Sequence, residues 1–271
     1  MSLPLPTALS PSKVSSFKDC ALAFRFSAID RLPEPPTTWT VKGNLVHHAL
    51  EQLFWLVPAG QRSLDAGLLQ LDRAWQSART EPDLAALELT AAETDELRAD
   101  TESLVRGYFE LENPDLVTAV GVELALEADL GDLRLRGVID RLDIDPDGRL
   151  VVTDYKTGRV PGQAQEQVRL AGVHFYAFLC EQVLGERPAR VQLLYLREPL
   201  SISTIPSDQS IQGLRRRTSA IWSAIERACR DEDFRPKPSP LCEYCNWQAY
   251  CPAFGGDPAR AVEVLGQPTL V

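Results

Sequence analysis

GVIDRLDIDPDGRLVVTDYKTG, residues 137–158, decides the fold. It reads as two β-strands joined by the turn Asp145-Pro146-Asp147-Gly148. Pro146 is locked near the φ that the first central position of a type I turn needs, and Gly148 can take the left-handed conformation that closes a three-residue hairpin loop. That loop pairs Asp145 with Arg149. Counting back along both strands sets Asp140 opposite Asp154, with Cβ atoms about 5 Å apart. Side chains alternate along a strand, so Lys156 shares the face of Asp154. Val138, Leu142, Ile144, Leu150 and Val152 fall on that face too and are expected to be core. A two-residue loop centred on Pro146-Asp147 would place the two aspartates on opposite faces. Proline argues against it, because the tight hairpin turns need positive φ at that position.

Working outward, VTAVGVELALEADL (117–130), LRLRGVIDRLDI (133–144) and RLVVTDYK (149–156) read as three consecutive strands. A helix follows at 163–184, then the strand RVQLLYL (190–196), a short strand SISTI (201–205) and a helix at 208–230 with Ile211, Leu214, Ile221 and Ile225 on one stripe. Upstream, Ser12 is expected to cap a helix carrying Val14, Phe17 and Ala21. A proline-rich break covers 32–38, helices are expected at 43–57, 62–79 and 90–112, and Asn113-Pro114 ends the helical region. The order predicts an α/β fold with a mixed sheet, β-β-β-α-β, in one domain spanning 1–271. Its parts are an N-terminal helical region (1–115), a core sheet (116–205), a C-terminal helix and cysteine segment (206–255) and a tail (256–271).

With 44% hydrophobic and 24% charged residues among 271, the composition is that of a globular protein and argues against disorder. No apolar run approaches the ~20 residues that cross a bilayer, and the first residues lack a basic start followed by an apolar stretch, so a cytoplasmic protein without membrane contact is expected. The net charge of −10 speaks against a nucleic-acid partner. Two features offset it: acidic residues gathered on a solvated segment such as 81–102, and a divalent cation that would supply positive charge locally.

The chemistry concentrates on three groups. Asp140 and Asp154 are two carboxylates that repel unless a cation lies between them, and oxygen ligands of this kind suit Mg²⁺ or Mn²⁺. Such a cation would polarise a phosphodiester and lower the pKa of a bound water, while Lys156 would orient that water or stabilise charge on phosphorus. The plainer alternative is a pair of charges at a hairpin end, with Lys156 bound to Asp154. In the helix at 43–57, His47 leans toward the buried stripe of Leu50, Leu53, Phe54 and Val57, and His48 leans outward. A lone histidine there is either structural or a ligand. Among six cysteines, Cys242-x2-Cys245-x5-Cys251 forms a three-thiol group, and Cys20 can supply a fourth ligand. Zinc sites, redox motifs and iron–sulfur clusters all use such pairs, though a zinc ribbon brings a second C-x2-C that is not present here. Cys180 and Cys229 read as small buried residues.

G-V-I-D-R followed by V-V-T-D-Y-K-T-G resembles the motifs of the RecB-like branch of the PD-(D/E)XK nucleases. The resemblance implies a restriction-endonuclease-like core in which Asp140 and Asp154 bind the catalytic metal, Lys156 assists hydrolysis, and the backbone carbonyl of Tyr155 is a further ligand. Gly43-x-x-x-His47 before Ala49-Leu50-Glu51 resembles the helix motif of the same branch, which makes His47, and not His48, a further metal ligand. The family has a glutamine and a tyrosine four residues apart after the lysine strand. Here Gln167 is followed by Ala171 at that spacing and Tyr176 lies further on, a departure that bears on any DNA-contacting role for Gln167 and Tyr176. The cysteines resemble the [4Fe-4S] arrangement of AddB-type and CRISPR-associated RecB-like nucleases, with Cys20, Cys242, Cys245 and Cys251 as ligands. The resemblance runs from Leu9 to Pro252. It implies a DNase, an exonuclease on single strands or DNA ends, with a helicase or a CRISPR or repair protein as partner. No G-x-x-x-x-G-K-[ST] motif is present, so a stand-alone nuclease module is expected. Two other readings stay open: a catalytically inactive nuclease fold kept as a DNA- or partner-binding module, and a zinc-stabilised structural protein.

Overall fold

The computed structural model describes residues 2–160 and 162–265, with side chains for all of these except 163–171. The hairpin at its centre forms as its turn requires. Gly148 has φ +80°, its N–H reaches the Asp145 carbonyl at 2.9 Å, and the Asp145 N–H reaches the Arg149 carbonyl at 2.9 Å. The Asp145 carboxylate accepts from the N–H groups of Asp147 and Arg149 at 3.0 and 2.9 Å, which fixes the loop further. The ladder then runs Ile144↔Leu150, Asp143↔Val151, Leu142↔Val152 and Arg141↔Thr153. The paired ladder ends there; continued by one step, its register would set Asp140 against Asp154. At that step the Asp140 side chain bends in and accepts the Tyr155 N–H at 2.6 Å.

The elements in order are α1 (Pro11–Asp19), α2 (Ala21–Phe24) continuing as a π-helical turn (Arg25–Ile29), α3 (Thr38–Leu56), α4 (Leu64–Ala78), α5 (Pro82–Ala85), α6 (Ala91–Leu111), β1 (Thr118–Leu130), β2 (Leu133–Ile144), β3 (Leu150–Lys156), α7 (Gln163–Val183), β4 (Arg190–Tyr195), β5 (Leu200–Thr204), α8 (Asp208–Asp231) and α9 (Pro258–Leu265). Among the described residues the strands form one five-stranded mixed sheet in the order β1-β2-β3-β4-β5. β3 and β4 are parallel because α7 carries the chain across between them, while β2–β3 and β4–β5 are antiparallel.

The chain divides into two compact units. One takes in Pro36–Leu126 and Gly137–Ile211. Its core packs Leu45, Val46, Leu50 and Leu53 of α3, Leu71 and Trp75 of α4, and Leu104, Val105 and Tyr108 of α6 against Tyr155 and Leu194 of the sheet. Each of these helices begins at a capping hydroxyl, Thr37, Ser63 and Thr90, and the caps of α3 and α6 are closed reciprocally by Thr40 and Glu93. Such a cap contributes about 1 kcal/mol. Gly107 lets α6 approach the end of β4: a Cβ there would lie 2.0 Å from the Leu196 carbonyl oxygen. α7 lies against β4 and buries Phe175, Phe178 and Leu179.

The other unit takes in Met1–Pro35, Glu127–Arg136 and Gln212–Val271. Leu9 forms a parallel bridge with Leu135, its N–H donating to Arg134 O and its carbonyl accepting from Arg136 N–H, both at 2.9 Å. Leu22, Phe24 and Phe26 are buried there, as are Ile225 and Trp247.

Four expectations need correction. Ser10, not Ser12, caps α1, because Pro11 takes the first helical position, where its missing N–H leaves nothing unpaired. The first helix does not run through Cys20, which is extended (φ −158°, ψ 113°) and separates α1 from α2. Residues 256–265, expected as tail, contain α9 with Ala261 fully buried, and 266–271 lie outside the described residues. Val138, expected as core, is 38% exposed, because it lies beyond the point where β2 stays paired with β3, whereas Leu142 and Val152 are buried.

Candidate active site and cysteine site

Each acidic and basic group of the candidate active site is placed by a different element. α3 delivers His47 from its half-buried flank, and its buried residues Val46 and Leu50 set that face. His48, one position on, is exposed and bonds Glu51 at 2.9 Å. His47 Nδ1 lies 3.5 Å from Asp140 Oδ1 and 3.9 Å from Glu123 Oε1. Its ring stands edge-on to Tyr155, with centroids 5.9 Å apart. Ligand atoms of His47, Glu123 and Asp140 all fall within 4.8 Å of one another. The combination of one imidazole nitrogen and carboxylate oxygens suits a divalent cation such as Mg²⁺ or Mn²⁺.

Burial opposes a charge on His47, but hydrogen bonding to Asp140 and Glu123 and the negative charges of Asp140 and Asp154 outweigh it and hold the imidazole up to about 10. Asp154 is buried and pairs through Oδ2 with Lys156. Burial and the neighbouring Asp140 push its carboxyl above the usual range, against the pull of Lys156 and His47. Lys156 is desolvated, yet Asp154 and Asp140 keep its ammonium above the usual value. Oδ2 of Asp154 is buried and has Lys156 as its charge partner, and a carboxylate oxygen with two lone pairs leaves room for a cation beside the ammonium.

Glu123 is the residue that sequence reasoning missed. It has φ +44° within β1, and the inward-facing positions of the strand change from odd (Ala119, Gly121) to even (Val122, Leu124, Leu126) at this point. That is a β-bulge, and a non-glycine residue held there stores about 1–3 kcal/mol of strain. The bulge brings Glu123 to His47. Gly121 was the available signal, since glycine inside a strand often marks a bulge.

Tyr155 sits between the two key side chains on β3, with its own ring on the opposite face of the sheet. Its N–H holds Asp140, and its hydroxyl accepts from Arg141 Nη1 at 2.8 Å. Arg141 is 1% exposed and also bonds Asp143, Tyr108 and Thr153. This buried network fixes β3 from behind the site. Tyr176 of α7 packs over Gly137, where a Cβ would lie 3.1 Å from its ring. Burial, then the charges of Asp154, Asp140 and Glu123, push its phenol well up, so it stays protonated beside the carboxylates. Gln167 lies in α7, but its side chain is outside those described.

The second site is built entirely within the other unit. Cys20 sits at the α1–α2 break, Cys242 in a 3₁₀ turn (Pro240–Tyr244), Cys245 just after it, and Cys251 after a second turn (Gln248–Tyr250). All four line one cavity of about 260 Å³. Among the described residues no three of these sulfurs lie within 4.8 Å of one another. The Ser239 N–H donates to Cys242 Sγ at 3.4 Å, and the Trp247 peptide N–H donates to Cys245. Burial, and the proximity of the other three thiols, raise the Cys245 thiol. The Trp247 indole N–H is buried beside the cavity with no hydrogen-bond partner, its ring held 5.7 Å from that of Phe26. Cys180 and Cys229 are buried elsewhere, and burial pushes the Cys180 thiol up to about 12.

A mixed sheet with a carboxylate–lysine strand and a histidine helix beside it defines a restriction-endonuclease-like α/β protein. The model of the PD-(D/E)XK nuclease superfamily matches residues 8–252, and the chain belongs to that superfamily of phosphodiester hydrolases. Among solved structures, the chain is similar to the crystal structure of a "Putative exonuclease" from Eubacterium rectale, with TM-score 0.53 and 14% identity over 88% of this chain and 87% of that one. It also matches the crystal structure of SSO0001, with TM-score 0.42 and 15% identity over 93% and 88% of the two chains. None of the curated proteins matches it. Among the described residues no helix is long and apolar enough to cross a membrane.

Proposed function

We propose that the chain is a divalent-metal-dependent DNase of the RecB-like branch, acting as an exonuclease on single-stranded DNA or DNA ends in repair or CRISPR-related processing, and carrying a [4Fe-4S] cluster. The observation that carries the nuclease reading is the convergence of His47, Glu123 and Asp140 within 4.8 Å, with Asp154 and Lys156 on the neighbouring strand. His47, Glu123, Asp140 and Asp154 would hold Mg²⁺ or Mn²⁺, with the carbonyl of Tyr155 as a further donor. The chemistry the ion would supply there is polarisation of the phosphodiester and a lowered pKa for the attacking water. The chain's own groups supply the rest. Lys156, kept protonated by Asp154, presents a positive charge to the phosphate. Tyr176 keeps its proton and offers an O–H donor at the rim of the carboxylates. The Tyr155 N–H prevents Asp140 from rotating away.

The cysteine cavity fits a polynuclear cluster better than a single zinc. Tetrahedral zinc with Zn–S near 2.3 Å draws its sulfurs to about 3.8 Å of one another. Here the four cysteines line one cavity, no three of their sulfurs lie within 4.8 Å of one another among the described residues, and the peptide N–H groups of Ser239 and Trp247 donate to Cys242 and Cys245. N–H donors of this kind suit the sulfur-rich surface of a cluster.

The test is digestion of end-labelled single- and double-stranded DNA with Mg²⁺ or Mn²⁺, alongside iron and sulfide analysis of anaerobically purified protein. Metal-dependent release of short products and about four irons per chain are expected. Binding without cleavage would instead mark a DNA-binding module, and stoichiometric zinc would remove the cluster.

A further inference from the structure

The helix that delivers His47 carries a second feature. Trp39, in the first turn of α3, is 60% exposed. Its indole is held by the ammonium of Lys42, 4.3 Å above the ring, and Lys42 is anchored in turn by Asp100 at 2.7 Å. Trp39, Gly43 and His47 follow one another at i, i+4 and i+8, so they lie in one row along the helix. Between the indole and the imidazole the row offers only the bare backbone of Gly43. A Cβ there would meet only Thr157 Oγ1, at the ordinary contact distance of 3.6 Å, so packing does not demand the glycine. A glycine inside a helix is nonetheless destabilising by about 0.5–1 kcal/mol relative to alanine.

The result is an open groove of about 560 Å³ that runs from Trp39 past Thr40, Gly43 and Asn44 to His47 and Glu123. Among the described residues that line it, none is lysine or arginine. A strand in this groove is therefore not gripped by its phosphates. What the groove offers is the broad, exposed indole face of Trp39 at the end away from Glu123, with the smaller His48 ring and the acidic Glu51 also on its wall. The rise from Trp39 to His47 is about 12 Å, three to four nucleotides at the ~3.4 Å stacked spacing.

We propose that Trp39 is a stacking platform for one base of single-stranded DNA, three to four nucleotides from the scissile phosphate, and that it gives the site its preference for unpaired strands. The inference rests on the nuclease reading and specifies its substrate. An unpaired base can lay its face on the indole, whereas a paired base is already covered on both sides by its neighbours. Stacking of this kind contributes, by alanine substitution, a factor of about 5 to 150 in affinity.

The test has two arms. In the first, kcat and KM are measured on single-stranded and duplex DNA for wild type, Trp39→Ala, Trp39→Phe and Trp55→Ala. Trp55 is a fair control, because it is 72% exposed on the same helix, roughly 24 Å further along and outside the groove. Trp39→Ala should raise KM for single strands about 5- to 150-fold with kcat within twofold, leave duplex cleavage unchanged, and be largely rescued by Trp39→Phe, while Trp55→Ala changes neither. Equal losses on both substrates, or no change on single strands, would overturn the platform. In the second arm, fluorescence anisotropy of a labelled oligo-dT is followed in EDTA, where no turnover is needed. There Trp39→Ala should weaken binding by a similar factor. An unchanged Kd would overturn the platform even if the wild type cuts DNA, and a weakened Kd in a protein that cuts nothing would keep the platform and remove the nuclease.

Discussion

Replacing Arg141 by methionine tests whether the buried network behind the site holds β3 in place. The guanidinium is 1% exposed and binds Asp143 through two hydrogen bonds of 2.7 and 3.0 Å. It also donates to the hydroxyls of Tyr155 and Tyr108 at 2.8 and 3.1 Å and stacks 4.5 Å from the Phe54 ring. Methionine refills much of the volume but leaves Asp143 buried without its cation. Removing one partner of a buried pair costs about 3–5 kcal/mol. At roughly 2–4 °C per kcal/mol for a chain of this size, Tm should fall by about 6–20 °C. The loss should depend on pH. Burial already holds the Asp143 carboxyl above the usual range, although Arg141 pulls it down, and without Arg141 it rises further. An acid whose pKa is raised on folding binds its proton more tightly in the folded state. Its stabilising contribution is complete below the unfolded value and is lost as pH rises through the folded one. The gap between variant and wild type should therefore be wider at pH 7 than at pH 5. Adding Asp143→Leu should recover much of the stability at pH 7, because the buried Asp143 charge is then gone and the half-buried Glu112, the other carboxylate paired with Arg141, keeps its hydrogen bond from the Tyr108 hydroxyl at 2.9 Å. Thermal melting at the two pH values is the assay. A single variant within about 1 kcal/mol of wild type, or a double variant no better than the single, would refute the argument.

Asp140→Ala, Asp154→Ala and Lys156→Ala should each abolish hydrolysis with an unchanged circular dichroism spectrum; full activity of any one would remove that residue from the site. Glu123→Gln should weaken cation binding about as much as His47→Ala, while His48→Ala changes it little; equal effects at His47 and His48 would return His47 to a structural role. Because the carboxylates hold His47 up to about 10, a cation must displace its proton at neutral pH. Mn²⁺ affinity should rise by up to tenfold per pH unit between pH 6.5 and 8.5, and a flat profile would contradict this. Cys20→Ser should lose iron together with stability, since the four thiols join segments more than 220 residues apart in sequence; iron retained at the wild-type level would exclude Cys20 as a ligand.

The hairpin was legible because two residues, Pro146 and Gly148, dictate its turn, and the turn dictates which side chains face each other. The nearness of Asp140 to Asp154, the inward lean of His47 and the gathering of Cys20 with the distant cysteines around one cavity follow from local periodicity or from motif order, although the ligand atoms that converge within 4.8 Å are those of His47, Glu123 and Asp140 and not of Asp154. Glu123 did not follow, because a bulge breaks the very alternation used to read the strand. Nor did the burial of Arg141 and Asp143. Arg141 also pairs with Glu112, which sits just past the end of α6; that residue and Tyr108 of α6 lie some thirty residues upstream, and no local pattern announces a buried charge network. The cap at Ser10 was misread because two serines flank Pro11, and only the backbone shows which of them begins the helix.

The central claim is that the carboxylates of β2 and β3 serve a cation in cutting DNA. The most direct measurement is time-resolved digestion of end-labelled single-stranded DNA by wild type and Asp154→Asn, each with Mn²⁺ and with excess EDTA. The account predicts short products only from the wild type with metal. Equal digestion in EDTA, or by Asp154→Asn, would contradict it.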